Sequence, residues 1–331
     1  MLLTLVELAL LLYVKAVSAY PLCAVTARAL GENPLGSAPH PHALVVVAVP
    51  PADWKLYREF DQMTPEAQET LRSLKQPPTI LALNSDPHYT RAGYVFVARL
   101  DWTPSGMHTQ AFMVAEANLP EAFVALLQED WNTLSPWEID APERMMLVCT
   151  HGSHDSACGK LGYPIYQHLR QHAPAGTQIW RASHIGGHRF APTLIDLPEG
   201  RVWGFLDQKT AMQVLERSVH PAQLRGQLRG WMGLPPFAQI LEGEVFFQQG
   251  WDWIHQHRIL ELHAIEGEVT SKPFQQKNPA RVVNIELSTQ TGLYSGVVAY
   301  KGTGKTALNS GHVPLADIHQ YRLESLHHEG F

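Results

Sequence analysis

Cysteine is scarce in this chain, three residues in 331, and an odd number so thinly spread argues against a disulfide framework and fits a reducing, cytoplasmic compartment. Charge is sparse too. Only 17% of residues are Asp, Glu, Lys or Arg, with a net charge of −6, so no basic footprint points to a nucleic acid or an anionic membrane surface. The strongly apolar stretch at the start, Leu2–Val17, carries Glu7 and Lys15 and is short for a membrane span. It also lacks the basic n-region of a secretory signal, although Val17-Ser-Ala19 has the form of a cleavage site. The first arginine, Arg28, stands too late for twin-arginine export. An ordinary packed helix within residues 1–20, or a start assigned too early, is the expectation, and no membrane partner is expected.

What is present is the composition of a globular protein, 45% hydrophobic, long enough for two or three cores. After residues 1–20, residues 21–140 read as an α/β domain. Its strands are Ala43–Pro50, Ile80–Leu83, Gly93–Leu100 and Ala111–Ala115, and its helices Thr64–Lys75 and Pro120–Glu129. Thr64 has the place of an N-cap and Pro65 that of the first helical residue. No cluster in this domain carries chemistry. Residues 141–222 give strand Met145–Val148, helix Leu161–His172, strands Gln178–Ser183, Pro192–Leu197 and Arg201–Leu206, and helix Lys209–Val219. That β-α-β-β-β-α order is close to a thioredoxin-like arrangement, whose loops at one end of the sheet carry the site. Residues 223–331 form a C-terminal helix-plus-β-sheet region. It opens with a linker-like Leu224–Gly233, followed by helix Phe237–Trp253 and strands Arg258–Ile265, Ala280–Leu287 and Gly292–Tyr300.

The chemistry concentrates between Cys149 and His188. Cys149 and Cys158 flank Thr-His-Gly-Ser-His-Asp-Ser-Ala, and His184-Ile-Gly-Gly-His188 follows. Thiolates and imidazoles together suit an iron-sulfur cluster, zinc or copper rather than calcium or magnesium. Two adjacent glycines rule a helix out between the two histidines, at a cost of about 2 kcal/mol relative to alanine, and allow backbone N–H groups close to an anion. Gly152 and Gly159 are expected to do the same beside the cysteines. Cys23 reads as a small buried apolar residue. His168 and His172 share a helix face but belong to a solvated helix end. Lys301-Gly-Thr-Gly-Lys-Thr306 imitates the end of a phosphate loop, yet Ala299 stands where the first glycine is required and no helix pattern follows. A hairpin turn is the expectation there.

Cys149-x8-Cys158 with His154-Asp155 before the second cysteine and Gly159 after it, followed by His184-x-Gly-Gly-His188, resembles the sucrase/ferredoxin-like family, which comprises thioredoxin-like 2Fe-2S ferredoxins. Cys23 with Gly36-Ser-Ala38, the Trp203-Gly204 step and Arg229-Gly-Trp-Met-Gly-Leu234 with Gln239-Ile-Leu-Glu242 extend the resemblance, cyanobacterial members above all. The resemblance implies a 2Fe-2S cluster held by Cys149 and Cys158 through thiolates and by His184 and His188 through imidazoles. His154 stands where many members have arginine. Nothing in the chain pairs carboxylates for sugar chemistry, despite the family's first word.

Two ferric ions, two sulfides and two thiolates sum to zero, so adding an electron is easier than in an all-cysteine cluster. Histidine-ligated clusters of the Rieske type lie at roughly −150 to +300 mV, against about −400 mV for plant-type ferredoxins. The expectation is a proton-coupled, one-electron carrier of intermediate to high potential that serves redox partner proteins, rather than an enzyme with its own substrate. The competing reading is a structural Cys2His2 zinc domain acting as an interaction module, against which Cys-x8-Cys is wider than the usual knuckle. A thioredoxin-like disulfide enzyme would want Cys-x-x-Cys at a helix start.

Overall fold

The computed structural model describes residues 21–55, 63–103, 106–255, 259–264, 273–275, 279–290, 292–311 and 314–330. The expected helix or targeting segment in residues 1–20 lies outside them. Among the described residues, no helix is long and apolar enough to cross a membrane.

The chain is a mixed α/β structure with one large mixed sheet and one small antiparallel sheet. Helix α1 (Cys23–Ala29) precedes strand β1 (Ala43–Val49), which is buried along its whole length because its Val-rich run faces cores on both sides. Helix α2 (Pro65–Ser73) begins as its sequence requires, with Pro65 at its first position and the Thr64 hydroxyl accepting from Ala67 N–H at 3.3 Å. Strands β2 (Thr79–Asn84), β3 (Tyr94–Thr103) and β4 (Gly106–Ala115), helix α3 (Leu119–Gln128) and the short β5 (Glu138–Ile139) complete the first half. The second half has β6 (Arg144–Cys149), α4 (Ser156–His172), β7 (Thr177–Ala182), β8 (Leu194–Leu197), β9 (Arg201–Trp203), α5 (Gln208–Glu216) and β10 (Leu228–Trp231).

These ten strands form a single sheet in the order β10-β9-β8-β6-β7-β2-β1-β3-β4-β5. Its halves repeat one pairing plan. β1 and β2 run parallel, with β3 antiparallel to β1 and β4 antiparallel to β3; β6 and β7 run parallel, with β8 antiparallel to β6 and β9 antiparallel to β8. The halves meet edge to edge through the antiparallel pair Leu83↔Ala182. In register, Val49 ends β1 opposite Asn84 just as Cys149 ends β6 opposite Ala182. The first half therefore repeats the strand scaffold of the second, with Val49 where the second has Cys149.

Helix α6 (Pro236–Gln249) packs between the second half and a four-stranded sheet, β11 (Ile259–Ala264), β12 (Val282–Ser288), β13 (Gly292–Thr306) and β14 (Ala316–Gly330). Three expectations are corrected. The linker-like Leu224–Gly233 contains β10, fully buried at the edge of the large sheet. Lys301–Thr306 is no turn: it is the end of β13, paired with β14 across an irregularity between Tyr300 and Gly302 that absorbs its glycines. The helix expected to start at Leu161 starts at Ser156, because the Asp155 carboxylate caps it by accepting from Ala157 N–H at 2.8 Å.

Candidate metal centre

Cys149 is the last residue of β6 and is 1% exposed; its N–H donates to Thr193 O at 3.0 Å, which fixes the strand end against the segment before β8. Cys158 stands in the first turn of α4, fully buried, rather than in the loop where the sequence suggested it. Glycine makes this approach possible. A Cβ at Gly162 would meet Cys149 O at 2.0 Å, and one at Gly159 would meet Gly152 Cα at 2.8 Å, so the helix rides directly on the cysteine loop. Those glycines serve close packing, where the sequence had suggested room for an anion.

His184 and His188 leave the end of β7 in a turn whose Gly186 and Gly187 have φ of 85° and 68°, a region L side chains rarely adopt. His184 N–H donates to His151 Nδ1 at 3.2 Å. Its own Nδ1 lies 3.5 Å from Cys158 Sγ and 3.9 Å from Cys149 Sγ. The ligand atoms of Cys149, Cys158 and His184 all lie within 4.8 Å of one another, as do ring nitrogens of His154, His184 and His188, and as do Cys23 Sγ, an Asp155 oxygen and a ring nitrogen of His188. The three groups share His184 and His188 and form one continuous band. His168 and His172, in contrast, close the exposed end of α4, where His172 Nδ1 bonds His168 O at 2.8 Å.

His188 carries the most telling local feature. Its Nε2 bonds Leu308 O at 2.5 Å, so the N–H sits on Nε2, and its Nδ1 is buried without a hydrogen-bond partner. An imidazole with one nitrogen donating to a carbonyl and the other left as a bare lone pair is the arrangement of a metal ligand. Without a ligand that buried acceptor would cost about 1–3 kcal/mol. The donor set, two sulfurs and two imidazole nitrogens, likewise suits iron-sulfur or zinc chemistry.

Electrostatics point to the same place. A hydrogen bond from the Cys158 thiol, against the opposition of burial and with help from His184, holds the Cys149 thiol well below its usual range. Cys158 is pushed far up, first by that same bond and then by burial. The two buried sulfurs are thus driven in opposite directions by the bond they share. Burial works against an ionised Asp155, but hydrogen bonds from Ser310 N–H at 2.9 Å and Ser310 Oγ at 2.6 Å, together with Ala157 N–H, outweigh it and hold the carboxyl below its ordinary value. Burial pushes the Cys23 thiol up to about 12, so it stays a thiol. Cys23 is buried as expected, yet its sulfur lies 3.6 Å from Asp155 Oδ1, at the edge of the band.

The sucrase/ferredoxin-like family model matches residues 34–230. The chain belongs to that family. Cys149, Cys158, His184 and His188 all fall inside the family's stretch, whereas Cys23, Leu308 and Ser310, which reach the same band from the chain's two ends, fall outside it. No curated protein and no solved structure compared with the chain matches it. The contributions of Leu308 and Ser310 had no sequence signal, since one is a main-chain carbonyl and the other a lone serine in a loop. Asp155 did have one, an N-cap residue three before Cys158.

Proposed function

We propose that this chain is a one-electron carrier whose resident group is a 2Fe-2S cluster, held by Cys149 and Cys158 through thiolates and by His184 and His188 through imidazoles. The observation that carries the reading is the buried, partnerless Nδ1 of His188 on the same band as two buried thiols and His184. When bound, such a group supplies reversible uptake of one electron, at a potential raised by its histidines above the roughly −400 mV of plant-type clusters. A thioredoxin-like half is supported by the order β7-β6-β8-β9, with one parallel and two antiparallel pairings.

The residues would divide the work. Cys149 and Cys158 bring negative charge in a water-poor setting. His188 is held in one tautomer by Leu308 O, with its N–H on Nε2. Proton coupling would then fall to His184, whose ring lies 3.8 Å between centroids from that of the exposed His154. The partners we propose are redox proteins of a reducing, cytoplasmic compartment, with no nucleic acid or membrane involved.

One observation favours the structural zinc reading. With zinc–sulfur bonds of about 2.3 Å and zinc–nitrogen bonds of about 2.0–2.1 Å, a tetrahedral site has S···N edges of about 3.6 Å, near the 3.5 and 3.9 Å seen at His184. His188 does not join that group of three within 4.8 Å, which is farther than one ion would hold a fourth ligand. Anaerobic purification with iron, zinc and acid-labile sulfide analysis, beside EPR of the dithionite-reduced protein, separates the two. Two irons and two sulfides per chain with a reduced-state signal are expected; stoichiometric zinc in a colourless protein would sink the carrier reading.

A further inference from the structure

Arg229, on β10, is 2% exposed, and among the described residues its side-chain hydrogen bonds go to neutral acceptors. Nε donates to Ser37 Oγ at 3.1 Å, Nη1 to Gly186 O at 2.9 Å and Nη2 to Ser37 O at 2.5 Å. Its main-chain carbonyl accepts from the N–H groups of Gly36, Ser37 and Ala38 at 2.8, 3.0 and 3.2 Å. A Cβ at Gly187 would lie 2.4 Å from Nη2, so the guanidinium is pressed against the turn that carries His184 and His188. Phe190 packs on its other side, with the guanidinium carbon 5.4 Å from the ring centroid.

A buried cation bonded only to neutral groups carries a large desolvation penalty unless an anion stands near. Burial, seconded by the neighbouring Arg189, lowers the Arg229 guanidinium to about 9, which leaves it charged at neutral pH; Cys149, Cys158 and then Glu32 act the other way. Glu32 is already engaged by Arg189 Nε at 2.7 Å and by the Thr306 hydroxyl. Through Gly186 and Gly187 the guanidinium stands behind the turn of His184, whose Nδ1 lies 3.5 and 3.9 Å from the two sulfurs.

We propose that Arg229 is the positioning residue of the His184–His188 turn and the buried counter-charge of the thiolate site, favouring the reduced form. This rests on the electron-carrier reading. Two ferric ions, two sulfides and two thiolates sum to zero; one electron from an external reductant takes the site to −1, and the fixed +1 of Arg229 offsets that change. A zinc site with the same ligands stays neutral at every potential and gives the guanidinium no such partner.

The test uses the full chain, purified anaerobically as wild type, Arg229→Met, Arg229→Gln and Arg229→Lys. Circular dichroism checks folding, metal release to a chelator reads the turn, and dithionite titration with mediator dyes followed by EPR reads the potential. At the wild-type midpoint, the reduced-to-oxidised ratio of the neutral variants should fall at least tenfold, which is 59 mV for one electron. Arg229→Lys should keep the ratio within threefold but release metal at least fivefold faster, since an ammonium cannot span Gly186 O and Ser37 together. An unchanged midpoint in a folded, iron-loaded Met or Gln variant overturns the counter-charge, and unchanged release in the Lys variant overturns the positioning. Wild type holding zinc and no iron overturns the carrier reading and the counter-charge with it, while chelator release still decides the positioning.

Discussion

At Asp155 one carboxylate caps α4 through Ala157 N–H, takes two hydrogen bonds from Ser310, and lies beside Cys23. Its pKa is lowered on folding, so its stabilisation is fully present above the unfolded value of about 3.9 and is lost as pH falls through the folded value. Asp155→Asn should cost about 1–2 kcal/mol at pH 7 and flatten the acid limb of a urea-midpoint-against-pH curve below about pH 4; equal slopes in both proteins would refute this. The ligand set makes its own prediction. On the 2Fe-2S reading proposed above, His184→Cys should retain the cluster and lower its midpoint toward the all-cysteine range near −400 mV, whereas His168→Ala should leave the midpoint in a mediated titration where it was. Cys149, Cys158, His184 and His188 stood out in the sequence through their resemblance to a family pattern, since a His-x3-His pair alone recurs at His168 and His172; the structure brings Cys149, Cys158 and His184 together and sets His188 beside His184. Arg229 stood in the sequence only as part of a family pattern, since nothing local to Arg-Gly-Trp says that a guanidinium will be buried against a turn forty residues upstream.

Among the elements, strands with β-branched runs and the capped helix α2 were readable from the chain alone. The start of α4 was not, because Ser156 and Gly159, poor helix formers, precede the run from Leu161 that reads as helical despite its Gly162, and only the Asp155 cap reveals the first turn. Those glycines are the contact surface of the helix. With a Cβ at Gly162 only 2.0 Å from Cys149 O, Gly162→Ala must push α4 away from β6 and carry Cys158 with it. Overpacking of this kind costs about 1–3 kcal/mol. We expect a lowered denaturation midpoint together with sub-stoichiometric metal, read by metal analysis of the folded fraction; a fully loaded variant would show that the helix can move without disturbing the sulfurs. β10 and β14 escaped the sequence for the opposite reason. Their residues are buried or paired by partners distant in sequence, while Leu-Arg-Gly-Trp and the His- and Glu-bearing Ala316–Gly330 lack strand periodicity of their own.

Across the whole molecule, a buried ion pair ties the large sheet to helix α6, which packs against the small sheet. Arg201 on β9 donates to both Glu242 oxygens on α6, at 2.6 and 2.5 Å, and the two side chains are 1% and 0% exposed. Trp253 Nε1 adds a bond to the same carboxylate at 2.7 Å, and the Arg201 guanidinium carbon lies 4.3 Å from the Phe246 ring centroid. Gln239 bonds the N–H and C=O of Ala38 from the same helix, so α6 grips the segment that Arg229 also holds. Through these contacts the C-terminal region, whose loop between β13 and β14 supplies Leu308 O to His188, is coupled to the large sheet rather than appended to it. Removing one partner of a buried pair strands the other charge, at about 3–5 kcal/mol, whereas replacing both with apolar residues of similar volume is often neutral or better. Glu242→Ala should therefore lower stability by about 3–5 kcal/mol and loosen His188, so that metal is lost to a chelator at denaturant concentrations the wild type tolerates. Arg201→Met with Glu242→Leu should recover most of the stability and the metal retention together. If the double variant regains stability but still loses metal early, the coupling from α6 to the site runs through the charges themselves, and packing of the C-terminal sheet alone does not hold His188 in place.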